Sequence, residues 1–191
     1  MSHFKNILHR AMWTRGHSAI AEEQGCRCCK HARENIQHLA TCDVVSKVFA
    51  PLAAACGFDG TGGDTARERF ALFALLPGGK EVDEGWLNFH LLLWKYTIYQ
   101  LVIVETEDAK FQPHEIWQAA WSRFKRKAAA KKEAVRTELL RADSRGIEPP
   151  DVSSKGRCME PIARLNMSGE LVWDAELVKI IEKAASNPRK K

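Results

Sequence analysis

Gly25–Cys42 reads GCRCCKHARENIQHLATC. Cys26 and Cys29 have two residues between them, His38 follows after eight more, and Cys42 after a further three. Three thiolates and an imidazole make the donor set of a structural zinc ion, because soft sulfur and imidazole nitrogen fill four tetrahedral positions. Two cysteines two residues apart can close on one metal through a tight turn. His38 and Cys42, four apart, project from the same face of a helix, one turn above each other. The expectation is a zinc knuckle ligated by Cys26, Cys29, His38 and Cys42. Cys28 and His31 compete for places in that set, and the two-residue gap favours Cys29 over Cys28. A full Cys3His set leaves no open coordination position, which makes the site structural and not catalytic.

Cysteine usage points the same way. Four of the six cysteines crowd into this stretch and no secretory signal precedes them, a pattern that favours metal over disulfide. Cys56 follows an alanine run and reads as a core residue. Cys158 sits in a loop-rich stretch with nothing nearby to activate it.

The flanking sequence is expected to be helical. Phe4, Ile7, Leu8, Ala11 and Met12 recur at helical spacing over residues 3–14, and a short helix is expected from Ser18 to Gln24. A helix from about Glu34 carries His38 and ends near Cys42. Asp43 is the expected cap of the next helix, which holds Val45, Val48, Phe49 and Leu52 and stops before Gly57. Gly57–Asp64 is a glycine-rich loop. No GKS or GKT follows it and no strand precedes it, so a phosphate-binding loop is not expected. A helix opening at Thr65 ends at Pro77-Gly78-Gly79.

A long apolar helix is expected from Asp83 to about Glu107. Its apolar part, Trp86–Val104, is about as long as a bilayer is thick. Asn88, His90, Lys95 and Gln100 lie within it, so a buried core helix is expected and not a membrane span. Pro113 fits the first position of the next helix, which should run to about Asp143. Ile116, Trp117, Ala120, Trp121 and Phe124 form an apolar face on its first half. The second half is basic, alanine-rich and poor in core residues, and reads as a solvated arm or one that lies against something charged. After a proline-containing linker, Cys158–Leu165 and Glu170–Trp173 read as two short strands around a turn at Asn166–Gly169. Asp174 caps a last helix, and the basic C-terminal end is frayed.

The expected fold class is therefore mainly α: a Cys3His zinc-knuckle helical domain with long helices and a small C-terminal hairpin-plus-helix appendage. Three regions are expected: a knuckle over 1–56, a helical region with a long basic arm over 57–145, and a linker with the small tail over 146–191. The chain has 191 residues and a net charge of +5. Residues 113–145 carry nine Lys/Arg against four Asp/Glu, so much of the basic character sits on one helix. That distribution permits a nucleic-acid partner. Residues 1–21 contain Lys5, Arg10 and Arg15 and no acid. An intracellular protein, nuclear or cytoplasmic, is expected, and the acid-free N-terminus leaves an organelle open.

Leu8-His9-Arg10-Ala11-Met12-Trp13-Thr14-Arg15, followed by Cys26-x-x-Cys29, Glu34, His38-Leu39 and Cys42, resembles the zinc-binding region at the C-terminal end of non-LTR (LINE-type) retrotransposon reverse transcriptases. The resemblance covers roughly residues 4–50. That family usually has four residues between the histidine and the last cysteine, where this chain has three. No Tyr/Phe-x-Asp-Asp motif and no endonuclease carboxylate set is present, so a module without polymerase is expected. The resemblance implies nucleic-acid contact, with Lys30, His31 and Arg33 on the knuckle loop as phosphate contacts.

The first functional expectation is a non-catalytic zinc-binding module that holds RNA or DNA through basic surfaces. Besides the knuckle loop, Arg123, Lys125, Arg126, Lys127, Lys131 and Lys132 are its candidate contacts. The alternative is a zinc-stabilised structural or adaptor subunit docked by its apolar helices into a larger protein or ribonucleoprotein assembly. The aromatics Trp86, Trp94, Trp117 and Trp121, in long helices joined by loose loops, favour that alternative. An enzyme is not expected, nor a small-molecule substrate: His90, His114, Glu105, Glu107 and Asp108 form no spacing that chemistry requires, and the order of motifs in a zinc deaminase is absent.

Overall fold

The computed structural model describes residues 25–30, 34–58, 63–106, 109–148 and 150–186. The helices expected over 3–14 and 18–24 lie outside these residues. Seven α-helices are described: α1 (Ile36–Thr41), α2 (Asp43–Ala55), α3 (Gly63–Phe73), α4 (Glu84–Thr106), α5 (Pro113–Ser144), α6 (Val152–Gly156) and α7 (Ala175–Ala185). The two strands, β1 (Ala163–Leu165) and β2 (Leu171–Trp173), pair antiparallel with Ala163 opposite Trp173. The fold is mainly α, as expected.

Two caps set the geometry around the knuckle. The Asn35 side chain accepts the His38 N–H at 2.7 Å and starts α1. Asp43 does not cap α2. Cys42 holds that position with extended ψ, and Asp43 is the first helical residue, where its carboxylate faces the positive end of the helix dipole. Cys42 thus ends one helix and begins the next.

The two long helices form the centre. On α4 the buried residues Trp86, Phe89, His90, Leu93, Trp94 and Leu101 share one broad face and Leu92 lies beyond its edge, so several elements must cover it. Helices α2 and α5 pack against it, as does the 3-10 turn at Arg157–Met159. Two buried tryptophans tie the helices together by hydrogen bonds that satisfy their indole N–H. Trp94 donates to the Ala71 carbonyl and Trp117 donates to the Val48 carbonyl at 2.8 Å. The Thr97 hydroxyl is satisfied within the helix, donating to the Leu93 carbonyl at 2.8 Å. His90 is fully buried between the rings of Phe49 and Phe70, and burial pushes its pKa down to about 4, so it is neutral at pH 7. Among the described residues no helix is long and apolar enough to cross a membrane.

Helix α5 begins with Pro113 at its first turn, where the missing N–H costs nothing. Its second half differs from a solvated arm. Ala128 and Val135 are buried and Leu139 is partly so, which continues the stripe of Trp117, Trp121 and Phe124 along the helix. The C-terminal hairpin covers this stripe. A Cβ placed on Gly169 would lie 3.0 Å from Leu139 and 3.6 Å from Val135, and Gly169 holds φ +76°, which favours glycine. Asn166 Oδ1 accepts the N–H groups of Ser168 and Glu170 and so shapes the turn. Trp173 meets the Trp121 and Phe124 rings, Ile162 and Ile181 are fully buried, and Gln118 donates to the Ala185 carbonyl at 2.8 Å. One hydrophobic cluster runs from Cys26 to Ala185.

Gly85 anchors the same segment to α4. Its N–H donates to the Glu160 carbonyl at 2.7 Å, and an added Cβ would fall 2.2 Å from that oxygen and 2.4 Å from Met159 backbone atoms. Alanine favours an exposed helix by about 1 kcal/mol over glycine. Here the backbone clash outweighs that gain, so Gly85→Ala is expected to destabilise the chain by roughly 2 kcal/mol, in the range of overpacked sites. Chemical denaturation checks the sign: a Gly85→Ala protein as stable as the parent, or more stable, is incompatible with this packing.

Candidate metal centre

The knuckle begins with a turn at Cys26–Lys30, closed by the Lys30 N–H donating to the Cys26 carbonyl at 2.9 Å. Lys30 pays for this closure with φ +63°, a left-handed conformation unusual for a residue with a Cβ. The turn presents Cys26 and Cys29 on one side. From the other side, α1 supplies His38 and the α1–α2 junction supplies Cys42. The Cys42 N–H donates to the His38 carbonyl at 2.6 Å, which fixes the two ligands one helical turn apart.

The ligand atoms of Cys26, Cys29, His38 and Cys42 all lie within 4.8 Å of one another. Cys26 Sγ and Cys42 Sγ are 4.0 Å apart, and Cys29 Sγ and His38 Nε2 are 3.3 Å apart. Tetrahedral zinc with Zn–S near 2.3 Å and Zn–N near 2.05 Å has edges of about 3.8 Å for S···S and about 3.6 Å for S···N. The two observed separations agree with these edges to within a few tenths of an ångström. At 4.0 Å the two sulfurs are also not a disulfide, and all six cysteines are free. The cluster can hold a metal ion.

Cys28 stands beside the cluster and outside it. Its thiol hydrogen-bonds to Cys26 and pulls the Cys26 pKa down to about 4, while the Cys28 thiol itself is pushed up by that same interaction. Burial pushes Cys42 up to about 11. So many sulfurs at such short range cannot all ionise unless a cation neutralises them, which is the chemistry a bound divalent metal supplies.

A buried ion pair braces the turn from below. Arg27 Nη2 lies 2.9 Å from Glu34 Oε1, and the Arg27 backbone N–H donates to Glu34 Oε2 at 3.1 Å. Glu34 is fully buried and Arg27 only 9% exposed. One carboxylate therefore joins the turn that carries two ligands to the entry of the helix that carries a third. Glu34 enters the sequence reading as the approximate start of the helix that carries His38 and through the family resemblance, and Arg27 not at all. A single acid and a single base seven residues apart carry no sequence signal of burial.

The candidate basic contacts divide into groups. Lys30 is exposed on the turn, and His31 and Arg33 lie outside the described residues. Arg123, Lys125, Arg126 and Lys127 are exposed on α5, with Lys125 Nζ 5.3 Å from the Trp121 ring centre. Lys131 and Lys132 are half-buried, and Lys132 is paired with Glu170. Arg136, which the sequence reading omits, is exposed on the same helix. Helical periodicity extended one turn further would have included it.

Compared with protein-family models, curated proteins and solved structures, the chain finds no match.

Proposed function

We propose that the chain is a non-catalytic zinc-binding module that holds nucleic acid through basic surfaces, with an origin in the tail of a retroelement reverse transcriptase. One observation carries the nucleic-acid reading: Arg123, Lys125, Arg126 and Lys127 stand exposed on a helix whose opposite side is buried. A rigid rod with clustered free cations attracts a polyanion at long range and meets it with little ordering cost. Zinc is the metal that the three thiolates and one imidazole favour, and with four protein ligands it has no vacant position for a substrate. The likeness of Leu8–Arg15 and the ligand spacing to the retroelement region supports the origin.

The adaptor reading loses its sequence support, because Trp86, Trp94, Trp117 and Trp121 are all consumed by the chain's own core. The test is binding of RNA and DNA oligonucleotides by the full chain across a salt series. Charge reversal at Arg123, Lys125, Arg126 and Lys127 together is expected to weaken binding at low salt by about two orders of magnitude or more, since phosphate contacts dominate such affinity. Unchanged affinity in that variant would exclude α5 as the binding surface.

A further inference from the structure

The arrangement of charge around α5 points to a more specific partner, and this step rests on the nucleic-acid reading above. At 3.6 residues per turn the exposed side of α5 resolves into three lanes. Arg123, Lys127 and Lys131 form one flank, at i, i+4 and i+8. Lys125, Lys132 and Arg136 form the other, at i, i+7 and i+11. Between the flanks lie Ser122, Ala129 and Ala130, all exposed, with Arg126 and Glu133 as the long side chains along the middle of that lane. Among the described residues no acid is ion-paired with Arg123, Arg126, Lys127 or Lys131, whereas Lys132 is paired with Glu170, so Lys125 and Arg136 carry the second flank.

Two cationic flanks on either side of a low, small-residue lane suit a trough with a negative wall on each side. We propose that α5 docks in the major groove of double-stranded DNA, with each flank on the phosphates of one strand and the alanine lane toward the base edges. An α-helix with side chains is about 10–12 Å across and the B-form major groove about 12 Å wide, so the two match. The A-form major groove of duplex RNA is too deep and narrow to admit a helix. Single strands are held chiefly by stacking on aromatic side chains. The aromatics of α5, Trp117, Trp121 and Phe124, are all turned into the core and offer no such platform. Most of the lane carries no base-reading group, so recognition is mainly of the backbone. Arg126 and Glu133 are the exceptions, suited to guanine and to the cytosine amino group respectively.

The experiment titrates the full chain, loaded with zinc, against four probes. These are a DNA duplex of two helical turns, the RNA duplex of the same sequence, the single DNA strand, and the DNA duplex methylated at guanine N7, an atom in the major groove. The unmodified DNA duplex is expected to bind at least about tenfold more tightly than the other three, with a steep salt slope of about 0.9 per phosphate contacted. Arg123→Glu with Lys127→Glu should reduce that slope, with the helical circular dichroism unchanged. RNA duplex or single strand bound as tightly as DNA duplex would overturn the groove assignment and leave the nucleic-acid reading standing. Indifference to N7 methylation would also overturn it. Failure to bind any of the four would overturn both.

Discussion

Cys42→Ser is expected to reduce bound metal from one ion per chain to far below one, and to release residues 26–42 from the fold while the helices behind them persist. Cys42 is 2% exposed and serves three purposes at once: it is a candidate ligand, it ends α1 and it begins α2. Metal binding contributes about 10 kcal/mol or more to structural zinc sites at neutral pH, so its loss exceeds what a turn and a six-residue helix can replace. A helix that short is not stable by itself in water. By contrast α4, α5 and α7 are held by Trp94, Trp117, Ile162 and Ile181, and the two tryptophans donate to the Ala71 and Val48 carbonyls, away from the candidate ligands. Hydrogen exchange separates the two regions. Amides in 26–30 and 34–42 should lose protection in Cys42→Ser or after chelation, and amides in 84–106 and 113–144 should keep it. Metal far below one ion per chain in the unaltered protein, or protection unchanged in the variant, would sink the structural-zinc reading.

The second large effect is expected from Glu34→Ala. Truncating one partner of a buried ion pair costs about 3–5 kcal/mol, because the remaining charge has been taken out of water. Here the charge left behind is Arg27, 9% exposed, which also loses the acceptor of its backbone N–H. For a chain of this size 1 kcal/mol corresponds to roughly 2–4 °C in melting temperature, so a fall of about 10 °C is expected. Metal affinity should fall as well, since the turn that carries Cys26 and Cys29 loses its tie to α1. Combining Glu34→Ala with Arg27→Met removes the buried positive charge and should recover part of the stability. If the double variant is no more stable than Glu34→Ala alone, the penalty does not come from the ion pair.

Much of the fold can be read from single residues because its signals are local. Pro113 begins α5, Asp174 caps α7 through the N–H groups of Glu176 and Leu177, and Asn166–Gly169 turns the hairpin, all within reach of a few residues. Strand β1 is shorter than the expected Cys158–Leu165, because Arg157–Met159 turns as a 3-10 helix. The cap of α2 falls one residue early, on Cys42 and not on Asp43, because Cys42 also closes α1, its N–H donating to the His38 carbonyl.

What this sequence determined by itself is the ligand set and the helical succession. Cysteine spacing, turn residues and 3.6-residue periodicity act over a few residues and need no partner. Only the tertiary structure decided the rest. The second half of α5 is basic and alanine-rich, yet Ala128 and Val135 are buried, because a hairpin some 30 residues further along folds back over them. Arg27 and Glu34 are ordinary charges in sequence and become the brace of the knuckle only once the turn is packed on α1. Gly25–Cys42 states which atoms can hold a metal. Packing decides that they converge, since convergence depends on contacts that residues distant in the chain must make.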